Sequence, residues 1–168
     1  MRALLIAVAA LCAGCAAAGS QPQPFPRPGG PPAEPGAIPP VGTGAPASGY
    51  QVSGTALRLR GVPYRNGGAD PAGFDCSGFV WYVFTQHGLP VPRTVADQFR
   101  AGGTVSAEDL EAGDLVFFST IAPGASHVGI VVGGDSFVHA PASSGVVRVE
   151  RLGAPYWASR FIGARRIF

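Results

Sequence analysis

The pattern of apolar and polar positions divides the chain into three stretches. Leu4 to Leu11 is a short, unbroken apolar run behind Arg2. Residues 16–48 then carry only Phe25, Ile38 and Val41 as sizeable hydrophobes, set among Pro, Gly, Ala and Ser. Such a stretch buries too little surface to offset the entropy of ordering, so it is expected to be a semi-extended tether. From Tyr50 onward the spacing is that of a folded unit. Tyr50 to Arg60 reads as a helix stopped by Gly61. Gly67, Gly68, Pro71 and Gly73 mark an irregular loop. Asp75 is placed to cap a second helix from Cys76 to Gln86, ended by His87-Gly88 and Pro90. Thr94 caps a short third helix running toward Arg100. Strand patterns follow at Asp114–Ser119, Ser126–Val132, Asp135–Ala140, Val146–Glu150 and Phe161–Phe168, separated by Gly- and Ser-rich turns. Helices first and strands afterwards predict an α+β fold, with helices packed on an antiparallel sheet.

The opening segment has the layout of an export signal: a positive residue, a short apolar run and small residues after it, too short for a permanent membrane span. Ala13-Gly14-Cys15 resembles a bacterial lipobox, which makes Cys15 the lipidated residue and attaches the protein to a membrane. The competing expectation is an ordinary cut at Ala16-Ala17-Ala18, which releases a soluble periplasmic or secreted protein. The organisation read from the sequence is a signal peptide over 1–14, an anchor cysteine and tether over 15–48, and a compact domain over 49–168.

Composition narrows the functional classes. All 12 basic residues are arginine and the net charge is +2. The arginines are scattered, without the basic stripe of a nucleic-acid face, so no nucleic-acid partner is expected. The three cysteines are Cys12, Cys15 and Cys76. Two fall in the signal region, which leaves Cys76 as the one free thiol of the folded stretch. No disulfide framework and no zinc site fit that count and spacing.

Cys76 lies where a loop enters a helix. The unpaired N–H groups there are expected to lower a thiol pKa and to support an oxyanion. Gly73 and Gly78 flank it and are expected to let the backbone approach a substrate. His127 lies on a strand beside Gly129, whose small size is expected to leave room for the imidazole. His139 lies on the next strand, across the Gly133-Gly134 turn. Antiparallel pairing would set the two imidazoles side by side, one as a base and the other as its orienter. His87, at a helix stop, is expected to be structural, facing the last helical carbonyls.

The segments Gly61–Gly68 (GVPYRNGG), Gly73–Val80 (GFDCSGFV), Leu89–Thr94, Ala112–Phe118, His127–Val132, Phe137–Pro141 and Ala164–Ile167 follow one another as they do in the NlpC-type peptidoglycan cysteine peptidases. The chain resembles that family from about residue 50 to its end. The resemblance implies a papain-like domain, most similar to a lipoprotein member, with a triad of Cys76, His127 and His139. It implies Tyr64 at the oxyanion, Asp75 and Ser77 against the free amino end of the peptide, and Arg93 in the cleft floor. Its substrates are peptidoglycan stem peptides, cut between γ-D-glutamyl and a diamino acid through a cysteine thioester. No metal or cofactor is implied, and a monomer is expected. Asn66 departs from the aromatic residue that the family often has there. An amidase or acyltransferase using the same Cys–His pair, and a catalytically idle envelope-binding module, are the alternative functions.

Overall fold

The computed structural model describes residues 48–168, so the signal, Cys15 and the tether lie outside the described residues. Helix α1 spans Gly49–Arg58, α2 Cys76–Thr85 and α3 Val95–Arg100. Strands β1 (Ala69–Asp70) and β2 (Gly73–Phe74) form a small ribbon before α2. Then come β3 (Gly103–Val105), β4 (Leu115–Phe118), β5 (His127–Gly133), β6 (Ser136–His139), β7 (Arg148–Arg151) and β8 (Phe161–Arg166), with a one-turn helix α4 (Pro155–Ala158) before β8. These six form one antiparallel sheet in the order β3-β8-β4-β5-β6-β7.

The predicted helices and the five predicted strands are present, with ends shifted by a few residues. The first helix stops at Arg58, and Leu59–Gly61 turn back on it through bonds such as Leu59 N–H to the Ala56 carbonyl. β1, β2 and β3 are two or three residues long, too short to show a hydrophobic period in the sequence.

Side-chain alternation explains why the Leu115–Phe118 run is wholly apolar. Leu115 and Phe117 face α1 and α2, in a core with Val52, Phe79, Val83, Val128, Ile130 and Val138. Val116 and Phe118 face the other way, against Val131, Phe137, Trp157 and Ala164. A central strand buried on both faces has no polar side to show. Burying each of these large side chains contributes roughly 1.5–3 kcal/mol. β8 is fastened to the start of β4 by Arg166, whose Nε and Nη2 each donate at 2.8 Å to the fully buried Asp114 carboxylate.

Candidate active site

Asp75 is the N-cap of α2. Its Oδ1 accepts from the Gly78 N–H at 2.7 Å, which satisfies one of the orphan donors of the first turn. Cys76 is therefore the first helical residue, with its Sγ near the N–H groups of Ser77 and Val128. Asp75 is also the hub of a polar cluster. Arg93 donates from Nη1 to Asp75 Oδ1 at 3.0 Å and from Nη2 to Oδ2 at 2.7 Å. The same guanidinium reaches Ser77 Oγ at 2.9 Å and the Gly68 carbonyl at 3.2 Å. Burial pushes the Asp75 carboxyl up, but Arg93, the Gly78 N–H and the Ser77 hydroxyl outweigh it and hold the pKa below the ordinary carboxylate range. Behind this cluster Gln98, fully buried, donates from Nε2 to the Ser77 and Pro92 carbonyls at 3.0 and 2.8 Å.

His127 opens β5 and His139 closes β6. The register Ile130↔Val138 places His139 level with Gly129 when continued by one step, so His127 reaches it diagonally. His127 Nε2 lies 2.7 Å from His139 Nδ1. Trp157 from α4 closes over the pair. Its ring stacks on His127 at 5.6 Å and stands perpendicular to His139 at 4.9 Å. His139 is fully buried and its Nε2 has no hydrogen-bond partner among the described residues.

The thiol and the imidazole pair approach from opposite sides of the sheet. Cys76 packs on the helix-side core, whereas His127 and His139 contact the aromatic cluster on the other face. They meet at one end of the sheet, in a cleft of about 260 Å³ lined by Tyr64, Cys76 and His127, with Ile121, Tyr156 and Trp157 on its walls. Ser77 and Arg93 sit beside Cys76 in the Asp75 cluster instead of on this cleft wall. Tyr64 is anchored by its backbone N–H to the Gly145 carbonyl at 2.7 Å, and burial followed by the charges of Cys76 and Asp75 raises its phenol pKa.

Four local expectations are corrected. The Cys76 thiol is not lowered: burial, then the negative charge of Asp75, push it up to about 11 against the opposing N–H groups of Ser77, Val128 and Cys76 itself. Gly78 makes room for protein and not substrate, since a Cβ there would stand 2.0 Å from the Gly68 carbonyl oxygen and 2.9 Å from Arg93 Nη2; at Gly73 it would meet Arg65 Cβ at 2.6 Å. The space at Gly129 is taken by the Phe137 ring, 2.5 Å from where a Cβ would sit, and not by an imidazole. His87 does not face the helical carbonyls; its Nε2 is 2.9 Å from Thr55 Oγ1, tying the end of α2 to α1. No periodicity marks α4, the turn that carries Tyr156 and Trp157. Pro155 at its first position was the available signal.

A papain-like α+β domain with a cysteine at a helix start and a histidine pair on the facing strands defines the class of this fold and site. The NlpC/P60 family matches residues 61–166, and the chain belongs to that family. Over 109 residues it is 46% identical to the Escherichia coli (strain K12) protein named murein DD-endopeptidase MepS/murein LD-carboxypeptidase, covering 64% of this chain and 57% of that protein. It is 43% identical over 114 residues to the γ-DL-glutamyl hydrolase of Bacillus subtilis, covering 66% of this chain and 27% of that protein. A solved NlpC/P60 family protein from Bacillus cereus superposes with a TM-score of 0.69 at 32% identity, covering 73% of this chain and 41% of that one. The chain thus spans little more than half the length of the first relative and about a quarter of the second.

Proposed function

We propose that this protein is a cysteine endopeptidase acting on peptidoglycan stem peptides. The observation that carries the reading is the convergence of Cys76 and His127 on one cleft, with the buried His139 hydrogen-bonded to His127 behind it. In the resting site the thiol is protonated and His127 neutral, because burial holds the imidazole down to about 4. His127 Nε2 is committed to His139, so Nδ1 is the nitrogen left for the thiol. As substrate binds, His127 takes the thiol proton and Sγ attacks the carbonyl carbon. The backbone N–H of Cys76 and the Tyr64 hydroxyl support the oxyanion. The imidazolium gives its proton to the leaving amine, and the C–N bond breaks to leave a thioester on Cys76. Water deprotonated by His127 then releases the acid and restores the thiol. His139 accepts from His127 Nε2–H and fixes the ring. Asp75 and Ser77, braced by Arg93, hold the first turn of α2 and stand beside the acyl side of the cleft.

One relative is named for a murein DD-bond and another for a γ-DL-glutamyl bond. The γ-D-glutamyl–diamino acid bond is the one the family resemblance favours. Export follows from residues 1–18, and lipidation of Cys15 places the enzyme at the membrane facing its polymer; the domain acts as a monomer. Incubating purified peptidoglycan with the full chain and sizing the fragments by mass spectrometry tests the reading. Release of stem-peptide fragments with new amino ends is expected; an undigested polymer sinks it.

A further inference from the structure

The walls of the cleft around Cys76 and His127 otherwise carry uncharged side chains, yet a cation stands behind one of them. Tyr156 lines the cleft and is 51% exposed. The guanidinium carbon of Arg160 lies 3.9 Å from the centroid of the Tyr156 ring. Arg160 Nη1 donates to the Tyr156 carbonyl at 2.9 Å and to Ser159 Oγ at 3.1 Å, which orients the fork. Among the described residues nothing accepts from its Nε or Nη2, and no carboxylate pairs with it. Six other arginines of the domain do hold carboxylates. A pre-oriented guanidinium edge without a partner has the geometry that binds a carboxylate through two parallel hydrogen bonds.

The side of the cleft follows from the chemistry. His127 delivers its proton to the leaving nitrogen, so the leaving group lies on the His127 side of Cys76. Trp157 stacks on His127, and Tyr156 precedes it on α4. We propose that Tyr156 and Arg160 form a carboxylate-binding subsite for the amino component released by the reaction. This inference rests on the peptidase reading above. Its ligand is a free carboxylate on the carbon next to the leaving nitrogen. A C-terminal amino acid carries such a group, and so does a cross-linked diamino acid whose own carboxyl is unsubstituted. An amino component whose carboxyl is already in amide linkage does not.

The test uses the full chain and two pairs of soluble muropeptides: a stem peptide ending in a free amino acid, and a cross-linked dimer, each against its carboxamide at the carbon next to the leaving nitrogen. Wild type is expected to prefer the carboxylate by about 10- to 100-fold in kcat/KM, mostly through KM. The pair that shows the preference identifies the source of the carboxylate. Arg160→Gln is expected to bring that ratio near one, and Arg160→Lys to restore part of it. If Arg160→Gln does not fold, Arg160→Lys and Tyr156→Leu must each lower the ratio. A wild-type ratio near one in both pairs, or a preference retained in Arg160→Gln, overturns the subsite while leaving the peptidase reading intact. Failure to cleave any of the four substrates removes both.

Discussion

His127 Nε2 and His139 Nδ1 stand 2.7 Å apart, in a pocket that Trp157 closes. When His127 is protonated, its Nε2–H donates to His139 Nδ1. His139 then carries its own proton on Nε2, which is buried and unpartnered. What the site asks of position 139 is therefore one acceptor and no charge. His139→Asn and His139→Gln supply that acceptor and are expected to retain appreciable kcat/KM. His139→Ala frees the imidazole of His127 and is expected to lose about 10- to 1000-fold, on the scale of general acid–base effects. Kinetics and Tm measured on the same variants decide it. A lower Tm with wild-type kinetics for His139→Ala reduces the site to a Cys76–His127 dyad.

Burial of the pair has a signature in stability. Burial holds His127 down to about 4; burial, then His127 and Arg148, hold His139 down to about 2. The unfolded chain protonates both near 6.5. Between these values the unfolded state binds more protons, so folding stability rises with pH. Tm is expected to fall as pH drops from about 6.5 toward 4, with a further His139 component at lower pH. Replacing His139 by Gln should flatten that acid limb. A Tm independent of pH over this window would show that the imidazoles are solvated.

The raised thiol makes a prediction opposite to that of a helix-start cysteine considered alone. Cys76 pushed to about 11 is protonated at neutral pH, so alkylation by iodoacetamide should be slow there and climb through the alkaline range. Fast labelling with a plateau at pH 6 would establish a preformed thiolate–imidazolium pair instead.

Arg93 offsets the carboxylate next to Cys76. Arg93→Met leaves Asp75 charged, part-buried and without its bidentate partner. Destabilisation of about 1–3 kcal/mol is expected in chemical denaturation. The unbalanced negative charge should also slow Cys76 alkylation at a fixed pH. Unchanged alkylation with lowered stability would confine Arg93 to a structural role.

Much of this site is legible in the residues. The Asp75 cap sets Cys76 at a helix start, and the strand spacing across Gly133-Gly134 sets His127 beside His139. Both are local rules of pattern and hydrogen bonding. The rest depends on contacts between distant segments. Gly78 reads as an opening for substrate and Gly129 as room for the imidazole, but the Gly68 carbonyl with Arg93 fills the one and the Phe137 ring the other. The sign of the Cys76 shift needed the sum of burial, Asp75 and three N–H groups, of which the sequence shows only the helix start. α4 is four residues long and anchored by Trp157 in the sheet-face cluster, so it has no period of its own to read.

If Cys76 is the nucleophile, Cys76→Ala abolishes cleavage while the fold stays intact. Purified peptidoglycan is digested with wild type and with the variant at equal concentration, after circular dichroism has shown equal folds. Stem-peptide fragments are expected from the wild type and none above background from the variant. Fragment release near the wild-type rate by Cys76→Ala would contradict that role of Cys76.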